Sequence, residues 1–199
     1  MSAAGFLILI ALSLQAGGPR ADEHLLAGAN AFREGDHARA LVEFRVAQKL
    51  GAPGADGYVA ASLLKLGRAE EAVEAFSSIP VGRDPLLDYY RALALYEVRL
   101  YGAADRILAG IGERAGPRIA AQLKKIRADI AAALAPGPEA VTIDWYLDRC
   151  VRAHAGRRPA LAVAYCQEAA AMSARRPDGY RQADARSALA EPPAHPVKP

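Results

Sequence analysis

Apolar residues recur along much of this 199-residue chain at steps of three and four, the spacing that gathers side chains on one face of an α-helix. Ala40, Phe44 and Ala47 form one such face. The pattern returns 32 residues later as Ala72, Phe76 and Ile79, and after another 32 as Ala104, Leu108 and Ile111. A second set of columns precedes it at the same period: Gly28, Ala60 and Ala92, then Ala31, Leu63 and Leu95. Pro53, Pro85 and Pro117 are also 32 residues apart. Proline is tolerated in the first turn of a helix and not in its interior, so these residues mark boundaries. Several columns at one period indicate tandem units. Each reads as two helices, with small residues letting the backbones approach: Gly28 against Ala40, Ala60 against Ala72, Ala92 against Ala104. Glu34-Gly35-Asp36 and Leu66-Gly67-Arg68 supply short turns with the glycine expected at a helix end. Arg99 breaks that glycine column.

Two stretches carry a resemblance. Ala-Phe-Arg-Glu-Gly-Asp-His-Ala-Arg-Ala-Leu-Val-Glu-Phe at 31–44 and Leu-Leu-Lys-Leu-Gly-Arg-Ala-Glu-Glu-Ala-Val-Glu-Ala-Phe at 63–76 resemble the turn and second helix of the tetratricopeptide repeat (TPR). Leu100-Tyr101-Gly102-Ala103-Ala104 is a looser third copy, and the period of 32 is shorter than the family's 34. The resemblance covers about residues 21–116. It implies an all-α fold of antiparallel helix hairpins, a TPR-like α-solenoid, whose first helices line a concave groove. The groove would take Leu25, Phe32 and Arg33 from the first unit, Leu64 and Lys65 from the second, and Tyr89, Leu93 and Tyr96 from the third. Phe32, Leu64 and Leu93 also fit a place in the core between units. Tyr89 and Tyr96 lie two turns apart on one helix face and combine an apolar ring with a polar tip, which suits interface anchors. The Lys and Asn pattern with which TPR domains clamp a C-terminal carboxylate is not reproduced.

Repetition stops after the third unit. Ile119, Leu123, Ile126, Ile130 and Leu134 make one apolar stripe, suited to a capping helix over the end of the stack. The repeat domain with its cap therefore spans 22–135, and Pro136-Gly137-Pro138 is a linker. Residues 141–190 read as a C-terminal helical hairpin region. Ile143, Leu147, Cys150, Val151 and His154 share a face on its first helix. Pro159 opens the second, which carries Leu161, Ala162, Tyr165, Cys166 and Ala169. Asp144 reads as a helix start, a shorter helix is expected at 178–190, and the Pro-rich tail 191–199 is expected to be disordered. Cys150 and Cys166 fall at nearly the same height on the two helices, which an oxidising compartment would turn into a disulfide. The alternative is two small buried thiols. A metal site on Cys150, His154 and Cys166 lacks a fourth ligand.

The first 21 residues read as a signal peptide. Residues 6–14 form an apolar run followed by Ala16-Gly17-Gly18-Pro19, which is the size of a secretory h-region and short of the roughly 20 residues a membrane span needs. Cleavage fits after Ala16 or Ala21. A buried N-terminal helix is the other reading, since Met-Ser-Ala-Ala-Gly lacks Lys and Arg. The chain is 52% apolar with a net charge of +3, and acids and bases are mixed along it, which argues against a nucleic-acid partner. No nucleophile–base set, phosphate loop or metal-ligand spacing is present in the sequence. The expectation is an exported, periplasmic or extracellular, non-catalytic adaptor that needs no cofactor or metal. It would bind a protein segment and have no membrane span when mature. The alternatives are a structural subunit of an envelope or secretion complex, or a redox or metal protein built on the two cysteines.

Overall fold

The computed structural model describes residues 18–114, 116–135 and 137–190. Most of the expected signal peptide and the whole Pro-rich tail lie outside the described residues. Within them the fold is all-α, and it divides into two compact units, residues 1–79 and 80–199. The division falls after Ile79, inside the stretch read from the sequence as one repeat domain, and not at the linker near residue 137.

The first unit holds two hairpins. Helix α1 (Pro19–Glu34) pairs with α2 (His37–Lys49), and α3 (Ala55–Lys65) pairs with α4 (Ala69–Ser77), with α2 also packed on α3. In the second unit α5 (Pro85–Glu97) pairs with α6 (Tyr101–Ile111), and α7 (Pro117–Leu134) packs on both. There, α8 (Ala140–Ala155) pairs with α9 (Pro159–Ala174), and α10 (Gln182–Ala190) covers that pair. Residues 178–181, expected to begin the last helix, form a turn instead, in which the Asp178 carboxylate accepts the Tyr180 N–H at 3.1 Å.

One turn closes all four hairpins. Its key residue lies in the left-handed region: Gly35 at φ 86°, Gly67 at 74°, Arg99 at 63° and Arg157 at 56°. The next amide then reaches back to a carbonyl five residues earlier: Asp36 to Ala31 (3.0 Å), Arg68 to Leu63 (3.0 Å), Leu100 to Leu95 (2.8 Å) and Arg158 to Ala153 (2.9 Å). This bond satisfies a carbonyl that the ending helix would otherwise leave unpaired. The second helices of the first three hairpins accordingly begin at His37, Ala69 and Tyr101, 32 residues apart each time.

The sequence columns are the buried positions of these hairpins. Ala40, Ala72, Ala104, Phe44 and Ala47 are fully buried, as are Ala60 and Ala92. Phe76, Leu108 and Ile111 are buried as well, and Ile79 alone in these columns is half-buried. The α8–α9 hairpin continues the scheme. Cys150, Ala153, Ala162, Cys166 and Ala169 occupy the places of Gly28, Ala31, Ala40, Phe44 and Ala47 relative to the turn, and all five are buried. The close approach in the first hairpin is between Gly28 and Phe44, not Gly28 and Ala40. A Cβ on Gly28 would stand 2.7 Å from the Phe44 ring. On α7, Leu123, Ile126 and Ile130 are buried while Ile119 and Leu134 are half-exposed, so the apolar stripe is spent largely on α5 and α6.

These contacts set opposite outcomes for two helical glycines. Ala has the higher helix propensity by about 1 kcal/mol, but a methyl group on Gly28 must displace a fully buried ring, and overpacking costs about 1–3 kcal/mol. Gly110 in α6 has open space around it. In chemical denaturation, Gly28→Ala is expected to be destabilising and Gly110→Ala neutral to stabilising.

Candidate partner-binding surface

The eight residues expected to line a groove do not share one fate. Leu25 and Phe32 are buried in the first unit, at 5% and 9% exposure, and belong to its core. Phe32 lies against Phe44 and His37, with ring centroids 6.5 and 4.9 Å away. The correction has a simple cause: α1 packs along its length on α2, and these positions fall on the packed face. Arg33 and Lys65 are exposed and Leu64 is half-buried, and the Arg33 guanidinium donates to the Asn30 side chain. In the second unit Tyr89, Leu93 and Tyr96 lie on one face of α5, all half-buried. Tyr96 is 5.5 Å from Tyr101 and Tyr89 is 5.9 Å from Tyr90, centroid to centroid. Burial pushes both phenols above the ordinary tyrosine range, helped at Tyr96 by the Asp129 carboxylate of α7.

A second cluster in this unit centres on the turn between α5 and α6. The Tyr165 hydroxyl donates to the Val98 carbonyl at 3.0 Å, and the Tyr146 hydroxyl to that of Arg99 at 2.5 Å. Leu100, at the N-cap of α6, has no side-chain acceptor for the first amides of that helix. Glu168 of α9 supplies it, with the Gly102 N–H donating to Oε1 at 2.9 Å. A Cβ at Gly102 would run into that carboxylate, so a larger residue there must displace it. Glu168 is 4% exposed and has the Arg106 guanidinium at 4.0 Å as its ion-pair partner. Burial raises its proton affinity, opposed by the backbone donors and by Arg106. Beside the turn, Trp145 meets Tyr146 and Tyr165 edge-on at 5.0 and 5.9 Å. The guanidiniums of Arg99 and Arg149 lie over the Trp145 ring at 5.9 and 5.1 Å.

Reading the sequence missed this cluster. Its traces were Arg99 in a glycine column and Glu168 as the one acid on an otherwise apolar helix α9. Asp144 does not start α8, which begins at Ala140. It lies one turn in, accepting from Tyr180 at 2.9 Å and from Arg181 at 2.9 Å, and so ties the segment before α10 to α8.

Cys150 and Cys166 are buried with Cα atoms 5.3 Å apart and their sulfurs within disulfide distance. His154, one turn after Cys150 near the end of α8, is exposed. Among the described residues no group of three or more His, Cys, Asp or Glu side chains is placed to hold a metal ion. No helix among them is long and apolar enough to cross a membrane. Compared with models of known protein families, with curated proteins and with solved structures, the chain matches none.

The Glu168 contact makes two predictions. Glu168→Ala is expected to destabilise the protein by about 0.5–2 kcal/mol, the range for a lost helix N-cap, with Glu168→Gln keeping an acceptor for Gly102. Because folding raises the Glu168 pKa, its contribution is fully present below the ordinary glutamate range and is lost as pH rises through the raised value. Melting temperatures from about pH 4 to about pH 8 should therefore show a decline that Glu168→Gln reduces.

Proposed function

We propose that this chain is an exported, non-catalytic adaptor of TPR type that holds a segment of another protein on the exposed face of α5. The observation that carries this reading is the row Tyr89, Leu93 and Tyr96, which stays half-open after α5 has packed on α6 and α7. A rigid helix presenting aromatic side chains loses little entropy on binding, and such residues tend to carry most of an interface's energy. The four hairpins with one turn geometry and the repeat columns in their cores support the TPR resemblance.

Export is supported by the apolar run at residues 6–14 and by the cysteine pair. Cleavage after Ala16 leaves α1 whole, whereas cleavage after Ala21 removes its first turn together with the buried Ala21. The reading as a structural subunit joined through residues 118–135 is weaker, because Ile126 and Ile130 already face the unit's own core.

Cross-linking capture of the tagged mature protein should retain a reproducible partner. Tyr89→Ala/Tyr96→Ala should weaken its binding at least about tenfold, on the scale of one moderate hot spot. Capture unaffected by that double variant would refute the α5 surface. The same material should contain no free thiol. Its reduction should destabilise the second unit by about 3 kcal/mol, the loop-entropy value for 15 residues. A full count of two thiols would remove the redox support for export.

A further inference from the structure

The position occupied by Arg99 is glycine in the first two hairpins and arginine, Arg157, in the fourth. Gly35 and Gly67 hold the equivalent place in the first two hairpins, and all four residues have left-handed backbone. For a residue with a Cβ that conformation costs roughly 1–2 kcal/mol, so an arginine there is retained against a local penalty. Its side chain is exposed and its guanidinium lies over the half-exposed Trp145 ring. Arg149, from α8, lies over the same ring. Arg158, at the N-cap of α9, is the third cation whose charge reaches the Tyr165 hydroxyl together with these two. The cluster thus draws on the α5–α6 turn, α8 and the α8–α9 turn, and the hydroxyls of Tyr146 and Tyr165 fix the backbone from which Arg99 projects.

Glu97, two residues before Arg99, is exposed, and the acids of α8 and α9 are engaged elsewhere. Asp148 pairs with Arg152 at 2.7 Å, Asp144 with Arg181 at 2.9 Å, and Glu168 is buried beneath the turn, beside Arg106. A guanidinium within cation–π distance of an indole leaves donors for a carboxylate, which it can take through two parallel bonds. We propose that Arg99, Arg149 and Trp145 form a docking site for an acidic segment of a partner protein, with Arg158 at its margin. The short extent of the cluster and the mixed charge of the rest of the chain fit a few carboxylates better than a nucleic-acid backbone, which needs a longer basic track. This proposal rests on the reading of the chain as a protein-binding adaptor and names the chemistry of its partner.

Trp145 is the chain's single tryptophan, so its fluorescence reports on the site alone. The full mature protein is titrated with a hexaglutamate peptide, with hexalysine, an oligothymidylate and phosphatidylglycerol vesicles in parallel. The expected result is a saturable fluorescence change with hexaglutamate that weakens as salt is added. Arg149→Gln and Arg99→Gly should each reduce affinity at least about fivefold. Arg152→Gln, whose guanidinium is tied to Asp148, should change it less than about twofold. Glycine suits the left-handed backbone at position 99, so Arg99→Gly should fold with an unchanged or higher melting temperature. Lost binding in that variant then reports the missing guanidinium. No saturable change with hexaglutamate would overturn the proposal, as would equal binding by a folded Arg99→Gly. Tighter binding of the oligonucleotide or the vesicles at the same salt would overturn it in favour of a nucleic-acid or lipid surface. Tyr89→Ala/Tyr96→Ala should leave the peptide titration unchanged, so failure here is distinguishable from failure of the α5 reading.

Discussion

A helix that ends in a left-handed residue can hand its unpaired carbonyls to the first amides of the next helix, and this closure governs the hairpins of the chain. The four turns at Gly35, Gly67, Arg99 and Arg157 share it. Once the turn is set, residues equidistant from it on the two helices must meet. The facing pair sixteen residues apart is Gly28 with Phe44 in the first hairpin and Cys150 with Cys166 in the last. The first solves the close approach with a small residue under a large ring. The second solves it with two sulfurs of intermediate size at bonding distance. A glycine and a cysteine in the same structural column are thus two answers to one steric requirement.

Among the described residues the buried charged side chains, Asp88, Arg91 and Glu168, all lie in the second unit. Asp36 caps α2 with its own side chain, accepting the Arg39 N–H at 3.0 Å. The equivalent residue of α6 is Leu100, which is fully buried and cannot do so. Its helix start is served instead by Glu168, 66 residues away in sequence. Burying a carboxylate is unfavourable unless hydrogen bonds and charge meet it. The Gly102 N–H and the positive end of the α6 dipole meet Oε1 here, while the buried Oε2 has the Arg106 guanidinium at 4.0 Å and no hydrogen bond. Glu168, Tyr146 and Tyr165 together hold the third hairpin to the α8–α9 pair, which is a physical reason for the division of the chain after Ile79 and not at the linker.

Two surfaces arise from this architecture within the second unit. One is the open face of α5 with its tyrosines, rigid because α6 and α7 support the helix from behind. The other is the arginine–tryptophan cluster at the turn, rigid because two phenol hydroxyls pin the backbone. Neither brings together a nucleophile and a base.

Local structure was legible in the order of residues alone. Period-32 columns, proline boundaries and glycine turns located the helices and nearly all their buried faces, because those features depend on backbone conformation and helical periodicity within a few dozen residues. The facing of Cys150 and Cys166 was legible for the same reason, since a short turn fixes their height. Packing between residues far apart in sequence fixed the rest. It placed Leu25 and Phe32 in the core, made Asp144 a tie for Arg181 instead of a helix start, and left His154 exposed. It also gave the lone acid of α9 its partner in α6 and set Arg99 and Arg149 over one indole. No periodicity encodes such meetings, because each is fixed by how separate hairpins pack and not by the spacing of residues along any one of them.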